Sequence, residues 1–206
     1  MPQVPNRHFV DILDEYIIPY IIVDSSWFKV PQRRRRIMVG EPHFIENLEE
    51  TITFHTKECE LRKSRTPRDI FEQMHRSGYP VWTGEGKLPS IAKLQFGTDN
   101  TPIRKNGITI GHRPLLPGEN ARSLDVPAPT ITRKPLKVVV NDEFAGVLTW
   151  EAHAGLQCLL RNRHFARDLA GLGITAARLA VANAIPPPLA FAMISSALRL
   201  GLAWSD

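Results

Sequence analysis

Four consecutive arginines, at positions 33–36, constrain the fold of this 206-residue chain more than any other feature. An apolar, β-branched run at residues 20–23 precedes them, Pro31 breaks the chain, and a second short apolar run follows at residues 37–40. The simplest prediction is two paired strands joined by a cationic loop. Four guanidinium groups cannot be buried together without partners, so this loop must face water or an anion.

The partner that such a loop would suit is polyanionic. Arginine's planar guanidinium group matches phosphate oxygens and the hydrogen-bonding edge of a base. The formal net charge of +5 and the sequence pI of about 9.5 agree, although basic charge alone does not identify nucleic acid. A solvated basic turn, or a basic run of the nuclear-localisation kind, is the alternative interpretation. Flanking strands would hold the loop rigidly, which favours a binding role.

The motif Pro31-Gln32-x-Arg34-x-Arg36, after one apolar run and before another, resembles the Pro-Gln-x-Arg-x-Arg block of DNA (cytosine-5) methyltransferases. In that family the block lies beside the catalytic pocket, and its arginines contact the flipped cytosine and nearby backbone. The resemblance therefore implies base and phosphate contacts for Arg34 and Arg36, with Gln32 shaping the loop. The family usually has a glycine where this chain has Lys29, which puts the local turn in question.

Three further blocks occur in the family's order. Residues 122–132 resemble, with their Arg and Pro-x-Thr-Ile-Thr, the block that closes the target-recognition region. Residues 148–157 resemble Leu-Thr-x-x-Glu-Ala-x-x-Leu-Gln, and residues 181–187 resemble the final Ile-Gly-Asn-Ala-Val-Pro-Pro. The last block implies that Asn183 and Ala184 lie near the cofactor of the family, S-adenosyl-L-methionine. Ala182 replaces the family's glycine, which would crowd a close backbone approach.

The resemblance implies an α/β fold: the edge of a Rossmann-like methyltransferase sheet, a small β-rich target-recognition domain and a C-terminal helix. We expect residues 1–45 to be the C-terminal part of the catalytic α/β domain and residues 46–147 to be the target-recognition region. Residues 148–206 would be helices that return to the catalytic domain. Frequent turn signals between residues 45 and 120 predict short β segments and long loops there.

The resemblance and the charge pattern together give a set of candidate DNA contacts. Those within or near the matched blocks are Arg33, Arg35, Arg104, Lys105, Arg122 and Thr132. Arg122 and Thr132 are expected to stabilise the recognition domain rather than to touch DNA. Further basic candidates are Arg62, Lys63, Arg65, Lys87 and Lys93, with Tyr79 and Trp82 available for stacking on bases.

Local patterns predict several elements. Apolar spacing predicts a helix over residues 7–16, and Thr66 followed by Pro67 predicts a capped helix through Met74. A strand is predicted at residues 136–140, and a tight hairpin at Asn106-Gly107. Helices are predicted over residues 150–160, capped by Thr149, and over residues 189–200. The last helix is apolar nearly all round, so we expect it to be buried.

The chemistry of the family needs parts that this sequence does not contain. A Cys thiolate in a Pro-Cys-Gln loop adds to cytosine C6, a Glu in Glu-Asn-Val assists, and a glycine-rich loop binds the cofactor. Cys59 lies between two glutamates, which opposes nucleophilic use, and we expect Cys158 to be a packed apolar residue. Glu46-Asn47-Leu48 follows the arginine block, where the family's motif precedes it, so we treat it as a coincidence.

These observations favour a C-terminal portion or subunit of a DNA (cytosine-5) methyltransferase, which would bind double-stranded DNA and a second polypeptide that carries the missing motifs. A truncated, inactive DNA-binding remnant is the alternative. An independent DNA-binding module is a third possibility, but no helix-turn-helix, zinc or homeodomain pattern supports it. Two cysteines without metal spacing suit the cytoplasm, and we expect no metal and no membrane partner.

Overall fold

The computed structural model describes residues 7–61, 65–83, 108–112, 122–140, 143–161 and 163–201 as a mixed α/β fold. The helices are α1 (Arg7–Glu15), α2 (Pro42–Leu61), α3 (Pro67–Arg76), α4 (Trp150–Leu156), α5 (Arg163–Ala170), α6 (Ile174–Asn183) and α7 (Pro187–Gly201). The strands are β1 (Tyr20–Asp24), β2 (Arg35–Val39), β3 (Trp82–Thr83), β4 (Ile108–Gly111), β5 (Arg122–Ser123), β6 (Lys137–Val140) and β7 (Glu143–Leu148).

The first pair of strands confirms the predicted pairing, but β2 begins at Arg35, so Arg35 and Arg36 lie on the strand and not in the connection as predicted. β1 and β2 are antiparallel, with Tyr20 opposite Val39 and Asp24 opposite Arg35. A short 3-10 helix, Ser25–Phe28, begins the connection between them. Lys29 then adopts the left-handed conformation, with φ 60° and ψ 20°, which glycine adopts without steric cost. Lysine therefore makes the kind of turn for which a glycine is best suited.

The second sheet has the strand order β3-β7-β6-β4-β5, and all its pairings are antiparallel. It includes the strand predicted at residues 136–140, whereas the β-rich character of the whole region 46–147 stays a proposal, because α2 and α3 also lie there. The β1–β2 pair is also antiparallel. A Rossmann sheet is mostly parallel, so the described strands show a mixed α/β fold only, and its Rossmann-like character stays a proposal.

Helix α2 corrects the prediction for residues 45–61, where short β segments and loops were expected. It has 20 residues and crosses the predicted boundary between residues 45 and 46. Its buried face carries Phe44, Leu48 and Ile52, which follow one another at intervals of four. Threonines on the same helix bond to carbonyl groups one turn earlier, as Thr51 does to Asn47 O at 2.8 Å. Polar and β-branched residues between the apolar positions hid this helical period.

Two hydrophobic clusters hold these elements together. One packs the five-stranded sheet against α3 and α4, through Phe71, Ile110, Leu136, Leu148 and Leu156 among others. The other packs β1 and the 3-10 helix against α2 and α7, through Val23, Phe28, Leu48 and Leu189. The second cluster includes residues from each of the three segments proposed from the sequence. Burial of these side chains is the main stabilising term, at about 1.5–3 kcal/mol each.

Helix α3 begins as the sequence predicted. Thr66 is the N-cap, its hydroxyl accepts from Asp69 N, and the Asp69 carboxylate accepts from Thr66 N in return. Arg68 on this helix forms two hydrogen bonds with the Asp125 carboxylate, at 2.6 and 2.8 Å. Arg68 N also donates to Leu124 O at 3.1 Å. These bonds fix the start of the 122–132 segment against α3.

Helix α4 is capped by Thr149 as predicted, but it ends at Leu156 rather than near residue 160. Cys158 takes a left-handed conformation, with φ 62°, which interrupts the helix before a 3-10 turn at Leu159–Arg161. Cys158 is buried and packed, as expected for an apolar role. The two helices that follow, α5 and α6, cover α4 through a third cluster that contains Leu159, Leu169 and Val181.

Helix α7 was expected to be buried against another element, and one of its faces is. Its inner face, with Leu189, Ala192 and Ser196, packs towards α2. The outer face carries Phe191, Ile194 and Leu198, which are exposed, Phe191 to 70%. One layer of neighbouring elements can cover only one face of a helix, which leaves the other face in contact with water.

The stretch Ile174–Arg199 is apolar enough to cross a membrane by length and composition alone, with a mean hydropathy of 1.4. It consists of two helices, because Ala184 has extended backbone with φ −64° and ψ 147°. Helix α6 has 10 residues and α7 has 15, while a membrane span needs about 20. The absence of a membrane partner remains a prediction.

Candidate nucleic-acid interface

The candidate site is the arginine loop, defined as residues 31–36, whose backbone is fixed on one side by the end of β1. Ser25 N donates to Arg34 O at 3.1 Å, and the Ser25 hydroxyl donates to Gln32 O at 2.8 Å. Arg34 N donates to Asp24 Oδ1 at 3.3 Å. Two consecutive residues, Asp24 and Ser25, thus hold both ends of a three-residue stretch of the loop.

The other side of the loop is fixed by the 122–132 segment. Arg33 N donates to Ala128 O at 2.8 Å, and Ala128 N donates to Pro31 O at 3.0 Å. The Thr130 hydroxyl donates to Arg33 O at 2.8 Å, across 97 positions of sequence. Gln32 N donates to Val30 O at 2.7 Å. Every backbone N–H and C=O from residue 32 to 34 therefore has a partner, so the loop is held in one conformation before any ligand binds.

Two of the four sequence blocks are thus in direct contact, the arginine block and the block at residues 122–132. The local sequence pattern of neither block predicts this contact. Burial and the charge of the Arg33 guanidinium lower the pKa of Arg122, while the Asp24 carboxylate raises it. Arg122 lies in β5, opposite Ile110 of β4. The sheet thus adds a fifth arginine to the cluster.

The arginines of the loop divide into two pairs by their contacts. The Nε atoms of Arg33 and Arg35 lie 3.5 and 3.7 Å from Asp24 Oδ2. Arg34 and Arg36 form the second pair, in which the charge of Arg36 lowers the pKa of Arg34. The resemblance separates the same two pairs, since it matches Arg34 and Arg36 and leaves Arg33 and Arg35 on variable positions.

Arg34 and Arg36 form a partly buried pair of like charges. Arg34 is only 5% exposed, and burial together with Arg36 lowers its pKa to about 10. Burial also lowers the pKa of Arg36. Arg36 Nη1 donates to Arg35 O at 2.8 Å, whereas the buried Nη1 of Arg34 has no hydrogen-bond partner. Within the described part of the chain no carboxylate pairs with either residue. An anion at this position would offset the cost of burying the pair.

Gln32 is the second unsatisfied group at the loop. Its side chain is completely buried, and neither its amide nitrogen nor its amide oxygen has a hydrogen-bond partner. A buried polar group without a partner costs about 1–3 kcal/mol, so such groups are uncommon and point to a functional constraint. The Gln32 backbone is paired with Ala128 in a parallel bridge, which fixes where the amide lies. The amide can donate and accept at once.

The sequence interpretation missed three residues of this site: Asp24, Ser25 and Thr130. Asp24 and Ser25 end an apolar strand, and short polar side chains at such a point often bond to nearby backbone, which was the available signal. Thr130 was quoted only as part of a block. Thr132, which was a named candidate, instead bonds locally, with Lys134 N donating to its hydroxyl at 3.2 Å. Its place in the described structure is a turn.

The residues proposed for the cofactor lie at the end of α6. Asn183 is exposed, Ala184 is the C-cap, and Ala182 is buried. One exposed amide and one small apolar residue do not enclose a molecule as large as S-adenosyl-L-methionine. The described part of the chain therefore does not fit a complete cofactor site.

Three of the other candidates for DNA contact lie among the described residues. Trp82 was proposed for base stacking, which is wrong, because it is buried in the core beside the five-stranded sheet. Tyr79 and Arg65 are exposed. The remaining basic candidates and the predicted turn lie outside the described residues: Arg62, Lys63, Lys87, Lys93, Arg104, Lys105 and Asn106-Gly107.

Comparison of the chain with protein-family models, with curated proteins and with solved structures found no match.

Proposed function

We propose that this chain is a C-terminal portion or a subunit of a DNA (cytosine-5) methyltransferase, which supplies target recognition and part of the base pocket. The observation that carries the proposal is the contact between the arginine loop and residues 127–132. Both segments were identified from the sequence by resemblance to that family, and they share three hydrogen bonds of 2.8 to 3.0 Å.

The geometry of the loop suits DNA. Arg34 and Arg36 are cationic groups without a carboxylate partner in the described structure, on a backbone that is already fixed. Guanidinium groups bind phosphate through two parallel hydrogen bonds, and a rigid loop loses little entropy on binding. The completely buried Gln32 amide has no hydrogen-bond partner, which points to a functional constraint on the shape of the loop.

The rest of the chemistry would come from outside this chain. Cys158 is buried, and Cys59 lacks the Pro-Cys-Gln setting. We therefore assign the nucleophile, its acid partner and most of the S-adenosyl-L-methionine pocket to a second polypeptide. Bound there, the cofactor would supply the methyl group transferred to C5 of cytosine. The exposed outer face of α7, with Phe191, Ile194 and Leu198, supports an interface with such a partner. The two together would act in the cytoplasm.

An inactive DNA-binding remnant is the second candidate. Ala182 in place of the family's glycine, together with the missing nucleophile, favours it. Lys29, which also departs from the family's pattern, does not favour the remnant, since this residue adopts the left-handed turn despite its side chain.

DNA binding is tested first, with fluorescence anisotropy on a short unmethylated duplex of random sequence over a range of salt concentrations. We expect Arg34→Ala to weaken binding by about 1–3 kcal/mol, or roughly five- to 150-fold. Arg167→Ala, which removes an exposed arginine from α5, is the control and should leave binding unchanged. Equal affinities for all three proteins would contradict a binding role for the loop.

Methyl transfer then separates the two candidates. Labelled S-adenosyl-L-methionine is incubated with unmethylated DNA and this chain, alone or with a polypeptide that carries the Pro-Cys-Gln and Glu-Asn-Val motifs. Incorporation only in the mixture, and its loss with Arg36→Ala, would support a split enzyme. DNA binding without incorporation in any mixture would favour the remnant.

A further inference from the structure

We propose that Asp24 is a positioning residue that sorts the arginine loop: it holds Arg33 and Arg35 on its own side and leaves Arg34 and Arg36 for an anionic ligand. The effect of Asp24 on DNA binding rests on the proposed function, whereas its effect on the conformation of the loop does not. No part of it follows from the sequence motif, which begins at Pro31.

The Asp24 carboxylate is the centre of the hydrogen bonds around the loop. It is 3% exposed, and its Oδ1 accepts from Ser26 N at 3.0 Å, from the Ser26 hydroxyl at 2.8 Å and from Arg34 N at 3.3 Å. Its Oδ2 faces Arg33 Nε at 3.5 Å and Arg35 Nε at 3.7 Å. One oxygen thus fixes the backbone of the loop, and the other attracts two of its side chains.

Strand alternation converts this attraction into a separation of the arginines. Arg35 stands directly opposite Asp24 in the β1–β2 register, and Arg36 stands opposite Val23. Side chains two positions apart lie on the same side of extended backbone. Within β2, Arg35 therefore lies on the Asp24 side and Arg36 on the other side, and Arg34 is buried without a carboxylate partner among the described residues.

The charges around Asp24 affect how well Arg33 and Arg35 can bind phosphate. Arg122 also lies close to both Arg33 and Asp24, since both affect it electrostatically. Three guanidinium groups therefore face one carboxylate on this side. Because the pair at Asp24 is partly neutralised, Arg33 and Arg35 are poor competitors for phosphate. The side chains of Arg33 and Arg35 are already 43% and 52% exposed, so removal of the carboxylate charge would free their guanidinium groups to bind phosphates without regard to register.

The test compares two double variants that remove equal charge, Arg33→Gln/Arg35→Gln and Arg34→Gln/Arg36→Gln, in duplex binding over a range of salt concentrations. Removal of one arginine–phosphate interaction reduces the slope of log K against log salt by about 0.9. We expect Arg34→Gln/Arg36→Gln to reduce the slope by about two, and Arg33→Gln/Arg35→Gln to reduce it by less than one. Equal reductions in the two variants would overturn the inference.

Asp24→Asn supplies the second measurement, because asparagine keeps an oxygen acceptor for Ser26 and Arg34 but lacks the charge. We expect the slope to become steeper by about one to two, as Arg33 and Arg35 become free to bind phosphates. In this background the reduction caused by Arg33→Gln/Arg35→Gln should grow to about two. A slope like that of the wild type would mean that Asp24 does not restrain these arginines.

The effect of Asp24 on the conformation of the loop can be measured without DNA. Amide hydrogen exchange at Arg34 should accelerate at least about tenfold in Asp24→Ala, which removes its acceptor, and should stay slow in Asp24→Asn. Ser26→Ala, which removes one donor to Asp24 and touches no arginine, is the control and should retain slow exchange. Unchanged exchange in Asp24→Ala would overturn the positioning role. If no variant binds DNA but Arg34 exchange follows this pattern, the proposed function fails and the positioning role stands.

Discussion

His153 should make the stability of this protein fall between pH 7 and pH 5. The side chain is fully buried in α4, and its Nε2 accepts a hydrogen bond from Leu136 N at 3.2 Å. That bond requires an unprotonated Nε2 and joins α4 to the start of β6. Burial, and to a lesser extent the charges of Arg178 and His112, lower the pKa of His153 to about 3.

The sign follows from linkage. In the unfolded chain a histidine has a pKa of about 6.5, so the unfolded state binds a proton that the folded state excludes. The contribution of neutral His153 is complete above pH 6.5 and is lost as the pH falls towards 3. The loss approaches about 1.4 kcal/mol for each pH unit, which gives about 2 kcal/mol between pH 7 and pH 5. This amount changes little if the folded pKa is one unit higher.

The perturbation that isolates this effect is His153→Gln, since glutamine can place an oxygen acceptor at similar reach but does not titrate. Urea unfolding of both proteins at pH 7 and pH 5 gives the two changes in free energy. We expect the wild type to lose about 2 kcal/mol more than the variant over this interval. A constant cost of the substitution cancels in the comparison. Parallel losses in the two proteins would refute the argument that a buried neutral His153 governs this part of the pH profile.

Three further predictions concern stability, each measured by urea unfolding at pH 7. Thr130→Val should cost about 1–2 kcal/mol, because it leaves Arg33 O without its donor, while Thr132→Val should cost less than about 0.5 kcal/mol; equal costs would contradict the role of Thr130 in fixing the loop. Gly155→Ala should lower the free energy of unfolding, because the added Cβ would lie 2.8 Å from Met74 Sδ. Overpacking of this kind costs about 1–3 kcal/mol, which exceeds the gain in helix propensity from alanine. A more stable variant would show that Met74 moves aside without cost. Lys29→Gly should be tolerated, whereas Lys29→Val should cost about 1–3 kcal/mol, since a β-branched residue is strained at φ 60°; equal stabilities would argue against that turn.

Several features that depend on residues close together in the sequence were predicted correctly. Thr66 and Asp69 are three positions apart, and their capping pattern correctly predicted the start of α3. The β1–β2 hairpin was predicted from runs that flank one loop. Helix α2 was missed because polar and β-branched residues lie between its apolar positions, such as Leu48 and Ile52, and hid their helical period.

The sequence by itself determined where the arginine loop lies, which strands flank it and where α3, α4 and α7 begin. These features depend on residues within one or two turns of each other, whose preferences act locally. Only the tertiary structure decided that Thr130 closes the loop from 97 positions away, and that Asp24 divides its arginines into two pairs. It also decided that one face of α7 stays exposed. Contacts of this kind arise from the packing of distant segments, and packing leaves no periodic or local pattern in the chain.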